Sequence, residues 1–218
     1  MPPVSPTTFH WSDCEDFLAE YAEDSSLELD PKRRFFASAS LRIHPPLVFP
    51  IAANCSSLAD YLARLPEEPG LDLVVLYQAG AASLGLFEAG EEIATKSFKR
   101  YVVRGKGRAQ PSHLEAKGKS RYGSRLRLQN AKRLVEETNE KLRDWVDEFG
   151  APEHIYFSSP VRLWPSLFEG QVKPPFEKGD GLRIPRDVPR PTSEVLVRTY
   201  RSLCWGRIER LDAEPSGA

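Results

Sequence analysis

Leu128, Ala131, Val135, Thr138, Leu142, Trp145 and Phe149 recur three or four residues apart, the period at which side chains share one face of an α-helix. Leu134 and Val146 widen the stripe. The spacing predicts one long helix from about Tyr122 to Glu148. Gly150 and Pro152 end it, because glycine favours the left-handed C-cap and proline cannot continue the hydrogen-bond ladder. Three apolar runs precede the helix: Leu71 to Gln78, Ser83 to Glu88, and a stretch between Glu91 and Arg104 ending in Tyr101-Val102-Val103. With Gly80 and Gly90 at the intervening turns, they read as a three-stranded meander. His154 to Ser158 (HIYFS) reads as a further buried strand. Strands followed by helix, strand and helix make an α/β or α+β domain.

The flanking regions read less sharply. The first ten residues, rich in Pro, Ser and Thr, are expected to be loose. Ser12 or Asp13 caps a short acidic helix ending near Ala22, and Arg33 to Ile43 alternates as a strand stopped by Pro45-Pro46. Leu58 to Leu65 reads as a helix capped by Ser56 or Ser57 and ended before Pro66. Gly170 to Pro191 is rich in Pro and Gly and is expected to form an ordered loop or short edge segments. Thr192 or Ser193 then caps a final helix from about Glu194 to Leu211. The expected organisation is an N-terminal segment over residues 1–69, a main domain over 70–211 and a flexible tail over 212–218.

Charge is distributed very unevenly along this frame. Between Lys96 and Arg133 stand thirteen basic residues and one acid, Glu115. The whole chain has 30 Lys+Arg and 31 Asp+Glu, so 17 bases and 30 acids remain elsewhere. A segment of net +12 attached to a body of net −13 points to a polyanionic partner, because clustered Lys and Arg gain affinity by releasing counterions from phosphates. No apolar run approaches the roughly 18 residues that span a bilayer. The start Met1-Pro2-Pro3-Val4-Ser5-Pro6 has none of the regions of a signal peptide, so the expected compartment is the cytoplasm, without membrane association. Cys14, Cys55 and Cys204 lack CxxC spacing and the four histidines are dispersed, which argues against a zinc site or a disulfide framework.

The core of the basic segment is a loop from Gly105 to about Ser124 joining a strand to the long helix, a length that in compact domains is functional or disordered. Two glycine motifs fail there. Gly118-Lys119-Ser120 ends like a P-loop, but the required earlier glycine would be at 113, where the chain has His113. Gly105-x-Gly107 begins like a dinucleotide fingerprint, but its third glycine would be at 110, which is Gln110. No GxSxG elbow occurs, and a hard-cation site would need clustered carboxylates where only Glu115 stands. The basic residues continue onto the strand (Lys96, Lys99, Arg100) and the first helical turns (Arg125, Arg127, Lys132, Arg133), making a patch rather than a tail. Tyr101 and Tyr122 suit base stacking or ordinary packing. Gln110 is the uncharged candidate for chemistry. Its amide does not titrate, but it can position a water or a ribose hydroxyl and stabilise developing negative charge.

The run Lys96-Ser97-Phe98-Lys99-Arg100-Tyr101-Val102-Val103-Arg104-Gly105-Lys106, then Gln110, Ala116-Lys117-Gly118-Lys119 and Gly123-Ser124-x-Leu126-Arg127-x-x-Asn130, resembles the release-factor-like (VLRF) domain of the Vms-type peptidyl-tRNA hydrolases. That domain is related to the GGQ-bearing middle domain of eukaryotic and archaeal peptide-chain release factors. Arg183-Ile184-Pro185 and Arg190-Pro191-Thr192-x-Glu194 are similar to the family's closing segment, so the resemblance covers roughly Leu71 to Leu211. It implies a release-factor middle-domain-like mixed sheet flanked by helices, with the catalytic loop between a strand and a long helix. It also implies release of nascent chains from peptidyl-tRNA on stalled large ribosomal subunits, by tRNA cleavage near the CCA end or by ester hydrolysis. Gln110 falls at the family's essential glutamine. Arg108 and Ala109 precede it where eukaryotic members have Gly-Ser or Gly-Gly. The ankyrin repeats and zinc finger of those members are missing from the sequence, which resembles a stand-alone, prokaryotic version.

The resulting expectation is a monomer when free, needing no cofactor or metal. Arg104, Lys106, Arg108, Lys117, Lys119, Arg121, Arg125 and Arg127 would bind tRNA or rRNA phosphates around Gln110. Two alternatives stay open: a non-catalytic module docking on rRNA or tRNA, and a protein whose loop binds an acidic protein partner.

Overall fold

The computed structural model describes residues 6–100 and 119–211, with side chains in the long helix described from residue 125. The chain divides into two compact units, one of residues 70–199 and one of residues 1–69 with 200–218.

The unit of residues 70–199 is built on a five-stranded mixed sheet. β5 (Asp72–Gln78), β6 (Ala81–Glu88) and β7 (Glu91–Lys99) form an antiparallel meander where one was expected, though Tyr101-Val102-Val103, the expected end of the third strand, lie outside the described residues. β8 (His154–Ser158) and β9 (Gly181–Arg183) extend it in parallel, giving the order β7-β6-β5-β8-β9. Two-residue turns join the meander. Ala89 and Gly90 both have positive φ, at 49° and 85°, as a turn matching the right-handed twist of its strands requires. Gly85 admits no side chain, since a Cβ there would lie 2.5 Å from Leu196 Cδ2.

α3 (Lys119–Phe149) connects β7 to β8 and buries Leu134, Leu142 and Trp145 against Leu73, Val75 and Leu84 of the sheet. The sequence stripe locates this face, but not its extent. Leu134 is the first buried residue among the described side chains of the helix, and Leu128, four turns before Leu142 in the same stripe, is 62% exposed. Polar groups also lock the second half of α3. Fully buried Asn139 donates from Nδ2 to the carbonyls of Leu167 (2.7 Å) and Val172 (2.8 Å), and Arg143 Nε donates to Lys173 O (2.7 Å). Between β8 and β9 the chain forms a 3₁₀ turn (Trp164–Phe168), and Trp164 stacks on Phe157 with centroids 3.9 Å apart.

After β9 the chain crosses the end of the sheet. Ile184 N–H donates to Phe157 O (2.9 Å) at the end of β8. Gln78, the last residue of β5, donates from Nε2 to Val188 O (3.0 Å) and Pro189 O (3.3 Å). Ser193 Oγ lies 3.0 Å from Ser97 Oγ of β7. This strap leads into α4 (Ser193–Leu203), capped by Thr192 Oγ1, which accepts from Val195 N–H at 3.1 Å.

The other unit is a five-stranded antiparallel sheet in the order β1-β10-β4-β3-β2. Its strands are β1 (Thr7–His10), β2 (Glu28–Asp30), β3 (Phe35–Ala37), β4 (Leu41–His44) and β10 (Trp205–Arg210). α1 (Cys14–Ala19) and α2 (Leu58–Leu62) contribute Leu18 and Leu58 to a core with Phe9, Phe36, Ile43 and Ile208. Ser57 caps α2 by accepting from Asp60 N–H at 3.1 Å.

Three sequence expectations fail in this unit. Thr7–His10 is a paired strand rather than a loose start: its partner is β10, nearly two hundred residues away and invisible to local composition. The stretch 33–43 is a hairpin of two strands, not one. The final helix stops at Leu203, after which Gly206 and Ile208 are buried while Trp205 and Arg207 are exposed, the period-two signature of a strand. Gly206 is required there, because a Cβ would lie 2.3 Å from the Phe9 ring.

Candidate nucleic-acid interface

The basic segment leaves the sheet at the end of β7 and rejoins described structure at the start of α3. β7 runs parallel to β5, β8 and β9, so its end lies at their carboxyl edge, the side on which open α/β sheets place their ligands. Two bonds fix this departure point. Arg100 N–H donates to Gly80 O (2.9 Å), and the Arg100 guanidinium makes a two-pronged ion pair with Glu137 of α3, with Nε 3.0 Å from Oε2. The hydrogen bonds and charge of Glu137 raise the Arg100 pKa. A fork of this kind sets direction as well as distance, so it aligns strand and helix where the chain departs.

Glu137 also provides a reference level along α3. Eighteen residues of the helix, 119–136, lie on its N-terminal side, a length of ~27 Å at 1.5 Å per residue. Residues 125–133 include no buried side chain. They carry Arg125, Lys132 and Arg133, all exposed, and Arg127, half-buried. Basic side chains and bare apolar ones therefore share a stretch of helix that covers no core.

The proposed phosphate-binding residues fall into three groups. Arg125 and Arg127 lie on this stretch of α3. Lys119 and Arg121 lie in its first turn, where only the backbone is described. Arg104, Lys106, Arg108 and Lys117 lie outside the described residues, as do the catalytic candidate Gln110 and Tyr101.

The strand's bases differ from the helix's. Arg100 is engaged by Glu137, and the Lys96 ammonium sits over the Phe98 ring at 5.8 Å. A groove of about 440 Å³ between β7 and α3 is lined by both signs, Lys96 and Lys99 with Glu140 and Asp144 among them. Sequence reading missed Glu137 because its partner is 37 residues away. The continuous run of cations in the sequence is thus divided in space.

Other chemistry has little to work with among the described residues. No group of three or more His, Cys, Asp and Glu side chains converges to hold a metal ion there, and no helix is long and apolar enough to cross a membrane. Cys14, Cys55 and Cys204 are buried and form no disulfide among the described residues, and burial pushes the Cys14 pKa up to about 12, far from a nucleophilic thiolate. Buried Asp72 lies 3.2 Å from His154 Nδ1, but at the amino ends of β5 and β8, away from the departure point of β7.

The mouse "tRNA endonuclease ANKZF1" is 30% identical over 141 residues, and its bovine counterpart is 32% identical over 139. These matches cover 62% and 61% of this chain but 19% of each relative, so the chain spans about a fifth of the length of the curated relatives it matches. The solved structure described as "Vms1 mitochondrial localization core" aligns with a TM-score of 0.50 over 93% of this chain and 90% of that one, at 14% identity. At that identity the likeness is one of fold. The family model described as the Bacteroidetes VLRF1 release factor matches residues 73–210, from the first strand of the sheet through the long helix to the last strand of the chain. This chain belongs to that release-factor family.

Proposed function

We propose that the protein acts on peptidyl-tRNA held in a stalled large ribosomal subunit and frees the nascent chain. The observation that carries the reading is the match to the release-factor family across residues 73–210, which takes in the strand, the basic segment with Gln110 and the long helix. Arg125 and Arg127, with Lys119, Arg121 and the loop bases Arg104, Lys106, Arg108 and Lys117, bind tRNA and rRNA phosphates. Gln110 positions the attacking oxygen, and no cofactor is required.

Two bonds are open to this chemistry. In ester hydrolysis, water adds to the ester carbonyl and the ribose oxygen leaves with a proton. In tRNA cleavage near the CCA end, a ribose 2′-hydroxyl attacks the adjacent phosphorus and the 5′-oxygen of the next nucleotide leaves with the proton. The name "tRNA endonuclease" borne by the mammalian relatives favours the second. A non-catalytic RNA-docking role is the competing reading, favoured by Arg108 and Ala109 standing where the resemblance would have Gly-Ser or Gly-Gly, since residues with a side chain approach RNA less closely than glycine and disfavour positive φ.

The test is to incubate the protein with stalled large subunits carrying peptidyl-tRNA and resolve the peptide and tRNA products. The catalytic reading expects release that falls on the order of 10²–10³-fold in Gln110→Ala, the usual loss of one preorganised donor. Equal release by that variant would overturn it. A tRNA shortened at its 3′ end identifies phosphodiester cleavage, and an intact tRNA identifies ester hydrolysis.

A further inference from the structure

Resting on the RNA-binding reading above, we propose that the strap between β9 and α4 is a second phosphate-binding arm, with Arg183 and Arg190 engaging the RNA backbone along the carboxyl edge of the sheet. The two arginines lie 50 or more residues beyond the basic segment in sequence, but the fold brings their segment to the same edge of the sheet. Arg183 ends β9, paired in register with Phe157 of β8. Val188 and Pro189 are held by Gln78, two residues before Gly80, whose carbonyl accepts the Arg100 N–H. The strap and the root of the basic loop are therefore anchored on the same β5–β6 turn.

The side chains on the strap divide as the strand and helix cations do. Arg186 is engaged: its Nη2 donates to Thr199 O at 3.3 Å, and burial together with Arg198 lowers its pKa. Arg183 and Arg190 are exposed, and neither forms an ion pair among the described residues. The strap's one acid, Asp187, is also exposed. Prolines at 185, 189 and 191 fix φ along the crossing, so its arginines are presented with little backbone freedom left to lose. A rigid edge with unengaged guanidinium groups suits phosphate oxygens, which accept two parallel N–H bonds from each.

The experiment is binding of the intact chain to unacylated tRNA over a series of KCl concentrations, for wild type, Arg183→Gln/Arg190→Gln, Arg125→Gln/Arg127→Gln and Asp187→Asn. Each phosphate contact contributes roughly 0.7–0.9 to the log–log salt slope. The strap variant should therefore lose about 1.5 of slope, as should the helix variant, and Asp187→Asn should bind more tightly than wild type. A strap variant with wild-type slope, beside a helix variant that loses slope, overturns the second arm and leaves the RNA reading standing. No tRNA binding by the wild type overturns the RNA reading and the arm with it. Poly-glutamate replaces tRNA in a parallel series; a strap effect there and none on tRNA assigns Arg183 and Arg190 to an acidic protein partner, also overturning the arm.

Discussion

The two halves of α3 belong to one unbroken helix and one unbroken apolar stripe, yet they do different work. From Leu134 to Trp145 the stripe is buried against β5 and β6, and Asn139 and Arg143 tie the same half to the carbonyls of Leu167, Val172 and Lys173. In residues 125–133 the stripe continues through Leu128 and Ala131, but nothing there is buried and four of the nine residues are basic. Helical periodicity says which face a helix offers. Whether that face is covered depends on where the sheet ends, and here the sheet ends near Glu137. The bare half is free to be used for something other than stability.

The largest expected effects contrast burial in the two halves. Trp145→Ala should cost about 3–5 kcal/mol in denaturant unfolding, the usual range for emptying a buried tryptophan site. Leu142→Ala should cost about 2–5 kcal/mol. Leu128→Ala, on the same stripe, should change stability by less than about 0.5 kcal/mol. Equal losses at Leu142 and Leu128 would break the comparison.

Next in size is the effect of charge. Arg125→Glu/Arg127→Glu should weaken tRNA binding by on the order of tenfold or more at low salt, with the melting temperature of the sheet unit little changed. Lys141→Glu, in the embedded half where Lys141 already faces Asp144 at 3.8 Å, should weaken it far less. Similar losses at both places would mean that general charge, not the bare half, governs binding.

The smallest expected effect concerns the engaged arginine. Glu137→Gln removes the carboxylate that holds Arg100 and should tighten tRNA binding about twofold by releasing one more cation to phosphate. If binding weakens instead, the ion pair matters chiefly by aligning β7 with α3 at the loop root, and release activity should then fall with it. Restoring activity with Glu137→Asp would support that alignment role.

Much of the sheet unit could be read from the sequence because its signals are local. The runs at 71–78 and 83–88, the positive-φ glycines at 80 and 90 and the helical stripe all lie within short windows, and the structure has the meander and the helix where they point. β10 could not be read that way. Trp205 and Ile208 are its large apolar residues, too few to mark a strand locally, and its strand character follows from the pairing of Gly206 with Phe9 and of Ile208 with Ile43. The same distinction runs through the site. The cluster of cations is visible as composition, while Gln110 lies outside the described residues. The neutralisation of Arg100 by Glu137, and the return of Arg183 and Arg190 to the same edge, depend on contacts between residues 26 to more than 100 positions apart.

Hydrogen exchange with and without tRNA addresses the division of α3 most directly. In the free chain, amides of residues 134–149 should be protected close to the global unfolding free energy, and those of residues 125–133 should exchange faster. On adding tRNA, protection should rise in residues 125–133 and stay unchanged in 134–149. Uniform protection along the whole helix in the free chain, with no change in either half on adding tRNA, would contradict the account.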